Sequence, residues 1–578
     1  SLSINGENSN GENDFGANDW LVEEMYEQYK VNPDSVDKEW WPILEKYHST
    51  QGSNAAPAAP AAAAAAAAAT SAPATPTQAA PAAPMVAKTT RIEPKAQPIP
   101  AQAPVTELIA TIASDDEEAE DQVNVLKGMA KALASNMDAS IQVPTATSVR
   151  TIPAKLLIDN RIVINSHLSR TRGGKVSFTH ILGFALVRAL KEFPSQNVYY
   201  AEIDGKPSAV TPANVNFGLA IDIPKPDGTR ALLVPNIKRA QRLNFAEFLT
   251  AYEDLVKKAR DNKLTADDFA GSTVSLTNPG GIGTVHSVPR LMQGQGCIIG
   301  AGALDYPAEF QGMNEAALSK MGISKTITLT STYDHRVIQG AGSGEFLKKV
   351  HELLLGQRGF YEEIFASLRI PYEPVLWVED FDQDDSDDRS KASRIQELIN
   401  AYRVRGHLMA DVDPLEYQQR SHPDLNILNH GLSLWDLDRT FKTGGFGGKS
   451  KAPFRDTLKI LRDSYCRTIG VEYMHIQDPA QRKWFQDNLE RPYEKLSRDE
   501  QMRILGKLNE AEAFETFLQT KFVGQKRFSL EGGESTIAAL DEILQAAANH
   551  GLREVAIGMA HRGRLNVLTN VAGKTYGQ

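Results

Sequence analysis

The chain has 578 residues, 42% of them hydrophobic and 23% charged, with a formal net charge of −10. This acidic balance, without any Lys/Arg-rich block, excludes a nucleic-acid-binding surface as the main function. No apolar run approaches the ~20 residues of a membrane helix, and two distant cysteines, Cys297 and Cys466, indicate neither a disulfide framework nor a zinc site. The length predicts about three or four domains, and we expect a cytoplasmic protein that contacts no membrane.

Residues 1–48 are predicted to form a helical segment. An Asn-Asp cap precedes apolar residues at helical spacing from Trp20, and a second short helix is expected around Trp40 and Trp41. Such a pair buries too little surface to be stable alone, so it is either a minor satellite or a docking segment for a partner. Residues 49–122 read as an Ala/Pro-rich linker with an acidic lead-in to the next domain.

Residues 123–365 alternate short apolar strands with amphipathic helices, which predicts an α/β domain. The alternation does not decide between a parallel and a mixed sheet. Strands are predicted at 215–223, 231–234, 274–276, 297–301 and 326–330, and helices at 123–137, 178–192, 245–262 and 346–355.

The last of these strands leads into Asp334-His335-Arg336. Three glycines, Gly340, Gly342 and Gly344, follow it and are predicted to loosen the backbone before the helix. Imidazole is the side chain whose ordinary pKa suits proton transfer near neutral pH, so His335 is a candidate general base. The alternative is a hydrogen-bonded histidine that only terminates a strand.

The octapeptide DHRVIQGA, which begins at Asp334, resembles the DHRxxDGA signature of dihydrolipoamide acyltransferases. These are the E2 components of 2-oxo-acid dehydrogenase complexes, and their fold resembles chloramphenicol acetyltransferase. The segments KLTADD, from Lys263, and SLTNPGG, from Ser275, are similar to further segments of the same family. The resemblance implies a trimer with each active site at a subunit boundary.

In that family the histidine deprotonates the thiol of CoA or dihydrolipoamide, which implies this role for His335. Thr277 aligns with the hydroxyl that stabilises the oxyanion, although alone it would read as an ordinary loop threonine. Gln339 stands where the family usually has an aspartate that organises the site through an ion pair. The alternative is therefore a non-catalytic trimerisation scaffold.

An acidic connector at 366–390 precedes residues 391–578. There RVRGHLMADVDPL, KRFSLEGGES and GMAHRGRLNVL resemble the thiamine-diphosphate-dependent 2-oxoglutarate dehydrogenase, the E1 component. The Trp20-Leu21 segment is similar to the N-terminus of the same proteins. Gly406 is predicted to cap a helix in the left-handed conformation. The resemblance makes His561 an active-site histidine and Arg562 a candidate for carboxylate binding; on residues alone, His561 would follow a strand at 555–557.

The overall prediction is an α/β multidomain chain, with a chloramphenicol-acetyltransferase-like E2 core followed by the incomplete N-terminal part of an E1 fold. This order resembles the multifunctional 2-oxoglutarate dehydrogenases of actinobacteria. It implies oxidative decarboxylation of 2-oxoglutarate and succinyl transfer to CoA, as in the tricarboxylic acid cycle. A stand-alone CoA acyltransferase is disfavoured by the E1-like segments.

The same resemblance implies the cofactors and partners. Thiamine diphosphate and Mg²⁺ belong to the E1 part, but the Gly-Asp-Gly motif that holds them in the family does not occur in these residues. We therefore expect their site mostly beyond residue 578 and no metal site within the chain. No lipoyl hairpin is present either, so the lipoyl group comes in trans. The expected partners are a lipoyl-bearing E2 and dihydrolipoamide dehydrogenase, together with an E2 trimer and an E1 dimer of the chain itself.

Overall fold

The computed structural model describes residues 125, 129–575 and 577, apart from 172, 225–229, 262, 293, 381–386 and 416. The predicted N-terminal segment and the linker lie outside the described residues. The domain limits drawn from the sequence also stay predictions.

We call residues 129–365 the first part of the chain and residues 391–575 the second part. A mixed six-stranded sheet forms the centre of the first part, in the order β1-β10-β9-β8-β4-β7. Strands β1, β10 and β9 are antiparallel neighbours, whereas β8 runs parallel to both β9 and β4, and β7 is antiparallel to β4. Three two-stranded pairs, β2–β3, β5–β6 and β11–β12, lie outside this sheet. The strands are β1 Thr145–Pro153, β2 Tyr199–Ile203, β3 Lys206–Val210, β4 Phe217–Leu219, β5 Ile221–Pro224, β6 Arg230–Leu233, β7 Asn236–Ile237, β8 Val274–Thr277, β9 Cys297–Ala301, β10 Thr326–Asp334, β11 Thr440–Lys442 and β12 Lys451–Pro453.

Helices cover the sheet and make up most of the second part. The helix α3 is buried around nearly its whole circumference, as its continuous apolar sequence requires. The helices are α1 Met129–Ile141, α2 Lys155–Leu168, α3 Phe178–Glu192, α4 Phe245–Arg260, α5 Ala266–Phe269, α6 Glu315–Lys320, α7 Gly340–Leu354, α8 Phe360–Ser367, α9 Asp387–Arg405, α10 Phe454–Tyr465, α11 Pro479–Leu489, α12 Arg498–Lys521, α13 Ser535–Asn549 and α14 Arg564–Asn570.

The strand β10 is longer and more buried than its sequence pattern predicts. It continues to Asp334, and its residues from Ile327 onward are buried on both faces. The alternating threonines are accommodated because they are hydrogen-bonded: Thr332 pairs with Thr147 of β1 at 3.0 Å between hydroxyl oxygens, and Thr330 donates to the Ser287 carbonyl at 2.8 Å. Its sequence pattern, an alternation typical of a half-buried strand, is therefore misleading: β10 is an internal strand of the sheet and is buried on both faces.

Two further local predictions were wrong. The region 215–223 divides into β4 and β5, which belong to different sheets, because the intervening Ala220 N–H donates to the Leu276 carbonyl at 2.9 Å. The helix α7 begins at Gly340, so the glycines after His335 are helical. Gly340 allows close packing instead of loosening the backbone, since a Cβ there would lie 3.2 Å from the Tyr333 hydroxyl.

The second part packs directly on the first. Buried apolar residues from Ile152 to Tyr473 form one connected core. The connector at 366–390 is bound to the first part: the Asn160 side chain donates to the Val375 carbonyl at 3.1 Å and accepts from the Val375 N–H at 2.8 Å. Between the first and second parts, Arg170 pairs with Asp463 at 2.6 Å.

Gly406 is not a left-handed helix cap. Its φ is not positive, and it begins a 3-10 turn after α9. A side chain there would press on the Tyr465 Cβ, so this glycine permits a close approach of α9 and α10.

A separate small cluster of Ala511, Ile537 and Val567 joins α12, α13 and α14. Of the helices in the described part of the chain, none combines the length and the apolar character that crossing a bilayer requires.

Candidate active sites

His335 leaves the end of β10 with its ring exposed. Its backbone N–H donates to the Pro144 carbonyl at 2.9 Å, which fixes the chain just beyond the strand. The ring meets the Tyr333 ring edge-on, with centroids 5.7 Å apart. The imidazole is therefore held at its base and open at its nitrogens, as a general base must be.

The residues on either side of His335 pair with each other. Asp334 as a residue is 3% exposed, and its carboxylate accepts from the Arg336 backbone N–H and from Nε of Arg336, each at 3.0 Å. Nη2 of Arg336 donates to the second carboxylate oxygen at 2.7 Å. The guanidinium carbon lies 3.9 Å from the centroid of the Tyr200 ring. The hydrogen bond to Asp334 raises the pKa of Arg336 above its ordinary value.

Thr277 ends β8 and is partly buried. The turn after it is fixed by Asn278, whose side chain donates to Thr179 Oγ1 at 2.9 Å and accepts from the Gly280 N–H at 3.1 Å. A Cβ at Gly280 would overlap the Gly302 carbonyl, so only glycine fits there. Packing therefore requires the glycine at position 280 of the SLTNPGG segment, whatever the function of the loop.

Within one chain the structure does not bring His335 and Thr277 together. Strand register places Thr277 opposite Gly300, and Gly300 opposite Thr330. His335 lies five residues beyond Thr330 along β10, which is about 16 Å at the usual rise of a strand. The two side chains belong to opposite ends of the sheet, too far apart to act on one thioester.

Gln339 occupies the N-cap position of α7 with an extended backbone. Its side chain is exposed and makes no capping hydrogen bond within the part of the chain that the structure describes. The ion pair that organises the family's site is thus not reproduced at this position.

His561 lies in the second part, beside a cleft of about 440 Å³. Its backbone is left-handed, with φ of 59°, and its side chain is exposed. Three cationic side chains, Lys526, Arg527 and Arg564, line the same cleft. This arrangement of His561 and cations is suited to binding carboxylates.

The Nε of Arg562 donates to the Ser529 carbonyl at 2.8 Å, and its role in carboxylate binding stays a prediction. One detail of the E1-like part differs from the structure. The strand expected at 555–557 is not formed, because in the described residues no neighbouring strand pairs with it, and Val555 and Ile557 are exposed.

Glu515 on α12 lines the same cleft and was missed from the sequence. It is 4% exposed, and Oε1 accepts from the Leu530 N–H and from Asn566 Nδ2, each at 3.1 Å. Oε2 has no hydrogen-bond partner among the described residues. Glu515 therefore ties α12 to the loop before α13 and to α14. No local signal marks it, since it is one of several glutamates in a charged helix.

His180 is structural, not catalytic. Burial, with a smaller contribution from Arg161, lowers the pKa of its imidazole to about 3, so the ring is neutral. Its ring Nδ1 accepts from the Ser177 backbone N–H at 3.1 Å, while the backbone N–H of His180 donates to Ser177 Oγ at 3.3 Å. This reciprocal pair begins α3.

The described residues do not fit the Mg²⁺ of thiamine diphosphate. No three His, Cys, Asp or Glu side chains in this part of the chain come together as a metal-binding group. The cleft beside His561 is lined by three cations and a single carboxylate, that of Glu515, which is too few oxygen ligands for Mg²⁺. We therefore derive no step through that cofactor.

Residues 118–359 match the family model described as 2-oxoacid dehydrogenases acyltransferase (catalytic domain). Residues 15–51 match that of the 2-oxoglutarate dehydrogenase N-terminus, which confirms the resemblance seen at Trp20-Leu21.

Over 567 residues the chain is 56% identical to the multifunctional 2-oxoglutarate metabolism enzyme of Mycolicibacterium vanbaalenii, covering 97% of this chain and 45% of the relative. A protein of the same name from Mycobacterium sp. strain JLS is 54% identical over 599 residues, covering 97% and 46%. The chain thus spans less than half the length of these relatives.

Solved acyltransferase structures are also similar. A probable dihydrolipoamide acetyltransferase from Listeria monocytogenes has 25% identity and a TM-score of 0.36, covering 40% of this chain and 94% of that one. The cubic core of a pyruvate dehydrogenase complex has 24% identity and a TM-score of 0.37, covering 46% and 99%. Residues 118–359 therefore match an acyltransferase catalytic domain of the 2-oxoacid dehydrogenase type, and nearly the whole chain is similar in sequence to part of the multifunctional 2-oxoglutarate metabolism enzymes.

Proposed function

We propose that the first part of the chain transfers a succinyl group from dihydrolipoamide to CoA, with His335 as the general base. The observation that carries the proposal is the exposed His335 ring, fixed at the end of β10 within the region that matches the acyltransferase catalytic domain. A buried, fully hydrogen-bonded ring would not serve this role.

In the proposed reaction His335 takes the proton from the CoA thiol, and the thiolate attacks the thioester carbonyl of succinyl-dihydrolipoamide. The carbonyl oxygen becomes an oxyanion, to which the Thr277 hydroxyl donates a hydrogen bond. The intermediate collapses as the bond from carbon to the lipoyl sulfur breaks, and that sulfur receives the proton from His335. One oxyanion donor typically contributes ~2.7–4 kcal/mol to the transition state.

The separation of His335 and Thr277 supports a site shared by two subunits. The two residues lie at opposite ends of the sheet in one chain, so both can reach one thioester only if they come from neighbouring copies. This favours the homotrimer that the family resemblance implies. A non-catalytic scaffold stays as the second candidate, because Gln339 forms no ion pair beside the histidine.

The second part of the chain is proposed to belong to an E1 that oxidatively decarboxylates 2-oxoglutarate. The cleft with His561 supports this role, and its cations Lys526, Arg527 and Arg564 are better placed for the substrate carboxylates than Arg562. Thiamine diphosphate and Mg²⁺ are the implied cofactors of the whole protein. The lipoyl group comes from a separate E2, and dihydrolipoamide dehydrogenase is the further partner. The E1 part forms a dimer. The whole complex acts in the cytoplasm.

The test is succinyl transfer between dihydrolipoamide and CoA. Loss of a general base typically costs about 10²- to 10⁴-fold, so we expect His335→Ala to lose activity on this scale. His475→Ala is the control, since His475 is exposed in the second part of the chain and should leave the rate unchanged. Equal rates for His335→Ala and the unmodified protein, or no transfer by either, would leave only the scaffold.

A mixing experiment tests the shared site. Co-expression of His335→Ala with Thr277→Ala chains creates some boundaries at which both residues are intact. For random assembly of a symmetric trimer these are about a quarter of all sites, so about a quarter of the unmodified activity should return. Each variant alone should stay well below that level. No recovery in verified mixed trimers would contradict a shared site.

A further inference from the structure

The turn that presents His335 is held by contacts on both sides of the histidine. Before it, the Asp334 N–H donates to the Gly296 carbonyl at 2.9 Å. After it, the Val337 and Ile338 N–H groups donate to the Asp334 carbonyl, at 3.2 and 2.9 Å. In addition, the Asp334 and Arg336 side chains form an ion pair that spans His335.

We infer that Arg336 is a positioning residue for His335, because its guanidinium binds Asp334 and stacks on Tyr200 across the turn that carries the imidazole. The inference rests on the proposed transferase function. The Asp334–Arg336–Tyr200 contact is called the arginine clamp below.

The clamp is built from a buried anion and a partly exposed cation. The Asp334 side chain is 4% exposed, whereas that of Arg336 is 36% exposed. Arg336 therefore stays partly hydrated while it neutralises a carboxylate that is out of water. Its planar fork meets both carboxylate oxygens, which fixes direction as well as distance. Lysine would keep the charge without that fork.

Tyr200 connects the clamp to a rigid part of the fold. It lies on β2, and its ring faces the Arg336 guanidinium at 3.9 Å. The same hairpin is close to the start of β9, where a Cβ at Gly296 would overlap the Val198 carbonyl oxygen. The clamp thus joins the histidine turn to β9, β10 and the β2–β3 hairpin.

The expected effect is on chemistry more than on CoA binding. A proton-transfer group that moves by about 1 Å loses about 100-fold in rate, whereas a ligand bound elsewhere is little affected. We expect Arg336→Gln to reduce kcat for succinyl transfer by about 10- to 100-fold, with the KM for CoA within about twofold of the unmodified protein. Arg336→Lys should lose less, because it keeps the charge.

Two variants of Tyr200 separate the effect of its stacking on Arg336 from that of the ion pair. Tyr200→Phe keeps the ring and should retain most of kcat, whereas Tyr200→Leu removes the π face and should lower kcat several-fold. The matched control is Arg358→Gln: Arg358 also pairs with a carboxylate, that of Glu192 at 2.8 Å, but it lies after α7 and is 64% exposed. Thermal unfolding and gel filtration establish that each variant is folded and assembled.

The inference is overturned if folded Arg336→Gln and Tyr200→Leu have the kcat of Arg358→Gln, or if only KM changes. If His335→Ala is inactive in the same assay, that result refutes the arginine clamp and leaves the proposed transferase function intact. If His335→Ala keeps full activity, both the transferase function and the clamp are refuted.

Discussion

The boundary between the two parts of the chain contains a buried charge network whose disruption has a calculable cost. Asp159 on α2 is fully buried and pairs with Arg455 of α10 at 2.6 Å and with Lys155 at 3.1 Å. Asp438 pairs with the same two cations. We predict that Arg455→Met destabilises the protein, because it leaves a carboxylate out of water with one cation in place of two.

Breaking a buried ion pair on one side costs about 3–5 kcal/mol. Lys155 remains beside Asp159, so we expect the lower end, about 3 kcal/mol at pH 8. At roughly 2–4 °C per kcal/mol for a domain of 150–250 residues, Tm falls by about 6–12 °C. Arg503→Met is the control, since Arg503 pairs with Asp541 and Glu542 at the surface and is 40% exposed. It should change stability by less than about 0.5 kcal/mol.

The loss depends on pH in a defined direction. Burial raises the pKa of the Asp159 carboxyl above its ordinary 3.8, and Lys155 and Arg455 oppose that rise. Without Arg455 the folded-state pKa rises further, so the folded state holds the proton more tightly than the unfolded state. The penalty is then full at high pH and shrinks as pH falls toward the raised pKa. Between pH 8 and pH 5 the Tm difference from Arg503→Met should narrow.

A double variant decides whether Asp159 is the cause. Asp159→Asn removes the orphaned charge, so in the Arg455→Met background it should restore most of the lost Tm and abolish the pH dependence. The reasoning is refuted if Arg455→Met matches Arg503→Met at pH 8. It is also refuted if the double variant is no better than Arg455→Met alone.

Three further predictions concern single positions. Gly296→Ala should cost several kcal/mol (~3 or more) and lower Tm sharply, because its Cβ would overlap the Val198 carbonyl, whereas Gly344→Ala has open space within α7 and should be neutral or stabilising by up to ~1 kcal/mol. The neutral His180 should make stability fall as pH drops from 6.5 to about 3, with a slope of up to about 1.4 kcal/mol per pH unit; His180→Asn should flatten acid unfolding in that window, and an unchanged slope would contradict the assignment. Burial raises the pKa of Cys297 and of Cys466 to about 12, so native protein should react with a thiol reagent at neither cysteine until it unfolds, and rapid labelling of the folded chain would show that a thiol is accessible.

Local sequence patterns were sufficient to predict a helix or strand where the pattern of apolar residues alone decides which face is buried. The apolar helix α3, the capped helix α4 and the strand β9 lie where their periodicity predicts them, because those patterns encode which face is buried. Thr265 stands at the N-cap of α5, where its backbone N–H donates to the Asp268 carboxylate at 2.8 Å. The motif around His335 pointed to the acyltransferase family, to which the matched region belongs.

What the sequence by itself determined, then, is the resemblance to the acyltransferase family, some of the helices and strands, and the candidates His335, Thr277 and His561. Tertiary structure alone decided that His335 and Thr277 lie at opposite ends of one sheet, since strand register depends on pairing between segments distant in sequence. It also decided that Arg336 stacks on Tyr200 and that Asp159 meets Arg455. Such contacts have no local periodicity: a charged residue has the same local pattern whether it ends in solvent or beside a buried partner, and only the folded chain distinguishes the two.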